Sequence, residues 1–191
     1  MYPSKEEAEK ILVEAESCNP GPWGNHSRIV AECAEKIAKL CEDMNSDKAY
    51  VLGLLHDIGR KFGTRHLGHV YDGYHYMRKL GYDEAGQICL THSFCNHDLK
   101  NYIGKMDITK EEQDEVEKAL EESEFDDYDR LIQLCDGLGG TEGPLDMVAR
   151  MEDVKQRYGN YPQDKWIMNL GLKTYFEYKT GKDIYEIIGL Y

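Results

Sequence analysis

Helical periodicity runs through almost the whole of this 191-residue chain, and no segment alternates apolar with polar residues as a half-buried strand does. The chain is therefore expected to be all-α, a compact multi-helix bundle. A first helix is predicted from about Ser4 to Glu16, with Ser4 and Glu7 placed as a capping box. Asn-Pro-Gly-Pro at 19–22 forces a turn, because two prolines bracket a glycine. A second helix is predicted from near Asn25, with His26, Val30, Ala34, Ile37 and Cys41 on one face. A third runs from Asp47 to Ile58 and stops at Gly59. Further helices are expected at about 69–80, 83–93, 109–122, 126–137, 144–158, 162–179 and 182–189, separated by polar or glycine-bearing joints.

A chain of this length can bury a substantial core, and residues 1–191 are read as one domain. Hydrophobic residues make up 41%, which places the chain among ordinary globular proteins rather than disordered ones. No apolar run approaches the roughly 20 residues that a membrane-spanning helix needs. The polar, acidic start MYPSKEEAEK does not read as a secretory signal, so a cytoplasmic location is expected. Asp and Glu number 36 against 23 Lys and Arg, giving a net charge of −13. Without a basic face, binding to duplex nucleic acid is not expected, and a phosphorylated ligand needs local cations or a metal. The six cysteines include no C-x-x-C pair and are read as buried or free thiols. Cys33, Cys89 and Cys135 fall at apolar helix positions and are assigned to the core.

The segment richest in chemical information is Tyr50-Val-Leu-Gly-Leu-Leu-His-Asp-Ile-Gly-Arg60. His56 shares a helix face with Ala49, Leu52 and Gly53, so it is expected to point inward. A buried imidazole beside a buried carboxylate is costly unless the two are paired or bind a cation. Neutral imidazole with carboxylate oxygen suits Fe, Mn, Co, Ni or Zn. The same dipeptide recurs at His97-Asp98, with no apolar helix behind it, and that copy is read as surface. His26 lies upstream on the apolar face of the second helix, and Asp136 follows Cys135 and lies four residues after Ile132. Singly, an inward histidine is usually a hydrogen-bonded core residue, and an aspartate near a helix end usually a cap. Three helices aiming such groups inward point to a shared cation.

The order His26, His56-Asp57, Asp136 resembles the signature of the HD superfamily of metal-dependent phosphohydrolases. Its flanks agree: His26-Ser27 precedes the alanine-rich stretch Val30 to Ala38, and Gly53-Leu-Leu-His-Asp-Ile-Gly-Arg60 is similar to the family's central helix. The resemblance covers roughly residues 23–140, with the helices at 144–189 expected to pack on that motif-bearing core. It implies a metal held by His26, His56, Asp57 and Asp136. Some members, including bacterial diadenosine tetraphosphate hydrolases, add a histidine at each of two further places and hold two metals. By that resemblance His69 and His92 ligate a second ion, with Asp57 bridging the pair. His66 and His75 do not match the pattern.

Directly after the His-Asp pair comes Arg60-Lys-Phe-Gly-Thr-Arg-His66, the densest basic run in an acidic chain. Arg60, Lys61 and Arg65 are candidate phosphate ligands, Arg60 the foremost; otherwise they are solvated cations near a helix C-terminus. The glycine-rich stretch 137–143 lacks a P-loop ending and is read as a flexible connection lining the site. Trp166, Tyr175, Phe176 and Tyr178 are read as packing residues, and Glu111 to Glu124 as a solvated face. The expected activity is hydrolysis of a phosphate ester or anhydride, with a nucleotide as the expected substrate. Water activated by the metal would be the nucleophile, oriented by Asp57, with Arg60 stabilising the phosphoryl oxygens. Two other readings stay open: an HD-fold di-iron oxygenase, and a nucleotide-binding module without catalysis.

Overall fold

The turn at 19–22 is the first of a series of breaks that divide the chain into ten α-helices with no strand, in a computed structural model describing residues 1–191. Helix α1 spans Lys5–Cys18 and α2 spans Trp23–Ala38. Ser4 caps α1 by accepting from Glu7 N, although only that half of the expected capping box forms. Helix α2 starts two residues earlier than expected, because Pro22 supplies its N-cap with φ already at −71° and Trp23 Nε1 donates back to Asn19 O. It also ends at Ala38, so Cys41 lies beyond the helix, although still buried.

Helix α3, Ser46–Leu55, is the centre of the molecule. Ala49 and every residue from Val51 to Leu55 are buried, so the helix has no solvent face at its C-terminal half. Each fully buried leucine there contributes about 1.5–3 kcal/mol. The close approach of α2 and α3 depends on Gly53: a Cβ there would come within 2.9 Å of Ala31 Cα. The helix ends three residues before the expected Ile58. His56 is its C-cap, Asp57 leaves helical geometry, and a 3₁₀ turn occupies Ile58–Phe62, ended by Gly63 at φ 128°. Gly59 is therefore inside the turn and is not the helix stop.

The remaining helices are α4 (Leu67–Lys79), α5 (Asp83–Thr91), α6 (Lys110–Glu122), α7 (Asp127–Leu138), α8 (Met147–Tyr158), α9 (Gln163–Thr180) and α10 (Ile184–Ile188). Capping boxes open α6 through Thr109 and Glu112, and α7 through Asp126 and Asp129. Helix α7 packs on α2, α3 and α9, while α10 returns to α2, so one apolar cluster runs from Ala8 to Ile188. A smaller cluster, including Leu67, Val70, Phe94 and Leu120, fills the space beneath α4, α5 and α6. Cys33, Cys89 and Cys135 are buried, as expected. On α9, Phe176 is fully buried and Trp166 packs against the core, but Tyr178 is 89% exposed and Tyr175 turns outward to Asp127. No helix is long and apolar enough to cross a membrane.

Candidate metal centre

Three helix C-termini converge on one point. His56 caps α3, His92 caps α5, and Asp136 lies in the last turn of α7. Each C-terminus carries partial negative charge, which favours a cation at their meeting point. His26 comes from the first turn of α2, and His69 from the first turn of α4. Asp57 follows α3 directly. The six residues named from the sequence as donors therefore lie together; five are buried, and Asp136 is partly exposed at the edge.

Backbone carbonyls set the state of the four imidazoles. His56 Nδ1 lies 2.7 Å from Gly53 O, and His26 Nδ1 lies 3.1 Å from Gly139 O. His69 Nδ1 meets His66 O, and His92 Nδ1 lies 3.0 Å from Cys89 O. A carbonyl only accepts, so every Nδ1 donates and every neutral ring turns the lone pair of Nε2 toward the centre. Gly139 makes one of these contacts feasible, since a Cβ there would come within 2.7 Å of Val30 and 3.0 Å of His26. The glycine-rich segment thus does line the site.

The inward atoms face one another. His26 Nε2 lies 3.0 Å from Asp136 Oδ1, which is 3.8 Å from His56 Nε2. His56 Nε2 is 3.9 Å from Asp57 Oδ2, is buried, and has no hydrogen-bond partner. On the other oxygen of Asp57, Oδ1, His69 Nε2 lies at 3.1 Å and His92 Nε2 at 3.7 Å, with 3.2 Å between the two nitrogens. These are lone pairs against lone pairs, an arrangement that needs protons or a cation between them. Donors bound at ~2.0–2.2 Å to one ion sit roughly 3–3.5 Å apart, so the spacing fits a metal. The donors form two groups that share Asp57: His26, His56 and Asp57, and Asp57, His69 and His92.

Charge states agree with that fit. Burial pushes the His56 pKa down, and burial with neighbouring His56 and His69 pushes His92 to about 3, so both rings are neutral. Burial would raise both carboxylates. The Arg60 guanidinium outweighs it at Asp57, and the hydrogen bond with His26 outweighs it at Asp136, leaving both well below their ordinary range. Burial also opposes a charge on His26, but Asp136 prevails and raises its pKa, so proton and metal compete for the place between those two donors.

Beside the donors lies a cavity of about 530 Å³, within the ~300–1,000 Å³ usual for small-molecule sites. Arg60 lines it, with Nε 2.5 Å from Asp57 Oδ2. Arg65 lines it too, tied to Asp72. Lys61 does not: its ammonium lies 4.5 Å above the Tyr76 ring and 3.0 Å from the Tyr76 hydroxyl, so its assignment to phosphate is corrected. His97 and Asp98 are exposed and separate from the site, as expected. Sequence reasoning missed the far wall, where α8 contributes Arg150 and Arg157, the joint after it Tyr161, and α9 Lys165 and Asn169.

A family profile described as the HD domain matches residues 23–139, more than half of the chain. The chain belongs to the HD domain family. Members of this family are generally metal-dependent phosphohydrolases. No curated protein and no solved structure matches the chain. The profile ends one residue into the turn after α7, so α8, α9 and α10 lie outside it.

Proposed function

We propose that this HD protein is a metal-dependent phosphohydrolase that cleaves a small phosphate ester or anhydride, with a nucleotide as the expected substrate. The observation that carries this reading is the cluster of His26, His56, Asp57, His69, His92 and Asp136 beside a cavity that also gathers Arg60, Arg65, Arg150, Arg157 and Lys165. In a chain of net charge −13, that concentration of cations favours an anionic substrate. It therefore favours phosphoryl transfer over oxidation of a neutral substrate by the same donor set.

His26, His56, Asp57 and Asp136 would hold one divalent transition metal, and Asp57, His69 and His92 a second, with Asp57 common to both groups. Fe, Mn, Co, Ni and Zn all suit these donors. When bound, such ions polarise phosphoryl oxygens and bring the pKa of water toward ~7. Arg60 spends only Nε on Asp57, leaving its terminal nitrogens to grip a phosphate oxygen pair. Asn19 fixes the Arg60 backbone by donating to its carbonyl at 2.6 Å, which holds the guanidinium at the cavity. Asp57, kept charged, accepts a hydrogen bond from the attacking water and orients it.

The test is elemental analysis of protein purified without chelator, followed by phosphate release from nucleotides and simple esters with and without oxygen. About two metals per chain and equal aerobic and anaerobic rates are expected. A protein that neither retains nor takes up metal overturns the proposal, as does oxygen consumption without phosphate release.

A further inference from the structure

The cations of the cavity are not equivalent. Arg60 is paired with Asp57 and Arg65 with Asp72. Arg157 lies 2.8 Å from Asp153, which Arg150 approaches only to 3.6 Å. Lys165, from the first turn of α9, lines the cavity with no carboxylate partner at all. Its single hydrogen bond runs to Ser93 O at 2.8 Å, just past the C-terminus of α5. An ammonium has three N–H donors, so two remain for whatever fills the cavity. Burial lowers the Lys165 pKa, a cost that an anion placed against it would offset.

The surroundings are ordered for a polar ligand. Asn169 donates to Tyr161 Oη at 2.6 Å and accepts from Cys95 Sγ at 3.1 Å, and all three residues line the cavity with Lys165. Nothing in the metal centre needs this wall, since every donor there is held by α2, α4, α5, α7 and the end of α3.

Resting on the phosphohydrolase reading, we infer that Lys165, together with Arg150, forms a second anion subsite that selects substrates with two linked phosphoryl groups over monophosphates. One phosphoryl group lies over the metal donors and Arg60. The other lies against the α8–α9 wall. The substrate class is thus a nucleoside diphosphate or triphosphate, or another compound with a phosphoanhydride.

The experiment uses the full-length, metal-loaded protein and two probes that it cannot hydrolyse, methylenediphosphonate and methylphosphonate, with binding measured by calorimetry. Wild type is expected to prefer the diphosphonate. Losing one charge-assisted hydrogen bond predicts that K165M binds the diphosphonate roughly 10-fold more weakly, with a change of under about 3-fold for the monophosphonate. K165R should recover the preference, and metal content should not change. Undiminished discrimination in K165M overturns the subsite, and so does an equal loss for both probes, which marks Lys165 as a support for the whole site. A wild type that hydrolyses monophosphates but shows no preference between probes removes the subsite alone. One that binds neither probe and releases no phosphate from any ester removes the hydrolase reading as well.

Discussion

The dipeptide His-Asp occurs twice in this protein, and the two copies have opposite fates. His56-Asp57 ends the apolar helix α3 and is 1% and 3% exposed. His97-Asp98 is exposed: His97 packs edge-on against Phe125, and Asp98 accepts from Lys100 N at the start of a 3₁₀ turn. The residue types are the same, so the difference comes from what stands behind them. Burial removes water from the first pair, and the Gly53 carbonyl fixes its imidazole. His26, His69, His92 and Asp136 then bring lone pairs that only a cation or protons reconcile. The second pair is exposed, so neither side chain is stripped of solvent and nothing there calls for a cation.

The contrast can be broken most severely at Asp57. D57A removes the carboxylate common to both donor groups, so the variant should lose bound metal and at least about 1,000-fold in turnover. Elemental analysis and phosphate release check this; a metal-free variant with normal activity refutes the mechanism. Arg60 comes next. R60A should keep its metal while kcat/KM falls about 100-fold, or ~2.7 kcal/mol, because the phosphoryl group loses a bidentate partner. Loss of metal in R60A would instead make Arg60 a support for Asp57.

Smaller effects probe the scaffold. In G53A the new Cβ meets the backbone of Ala31, so α2 and α3 must separate, at a cost of about 1–3 kcal/mol. Denaturant melts measure that cost, and weakened metal retention should accompany it because Gly53 orients His56. The smallest effect belongs to the other dipeptide. The double variant H97A/D98A should keep metal content and activity, with stability changed by ~1 kcal/mol or less. A loss of metal there would erase the distinction between the two copies.

Much of this contrast was legible before any fold was known. The apolar run from Val51 to Leu55 announced a buried helix, and a histidine and aspartate at its end had to be reconciled with that burial. The cap at Ser4 and the turn at 19–22 could be read for the same reason: they rest on local backbone chemistry. The end of α3 could not. Whether the helix continues to Ile58 or tightens after His56 depends on α4 packing against the 3₁₀ turn, a contact made from another part of the chain. Lys61 departs from the expectation because sequence neighbours of a cavity-lining arginine need not share its direction, and Tyr76 offers Lys61 a place elsewhere. Tyr178 was misjudged because α9 has a second, exposed apolar side.

The sequence by itself determined that this protein is helical, that residues 23–139 carry the HD domain, and which types of donor stand at the helix ends. Periodicity, turns and motif spacing are short-range properties and survive without tertiary structure. Only the tertiary structure decided that four Nε2 atoms and two carboxylates face each other across a few ångströms, and that Lys165 stands unpaired in the same cavity. Those relations join residues more than a hundred positions apart, such as His26 and Asp136. Packing sets them, through carbonyls and close glycine contacts that no local pattern encodes.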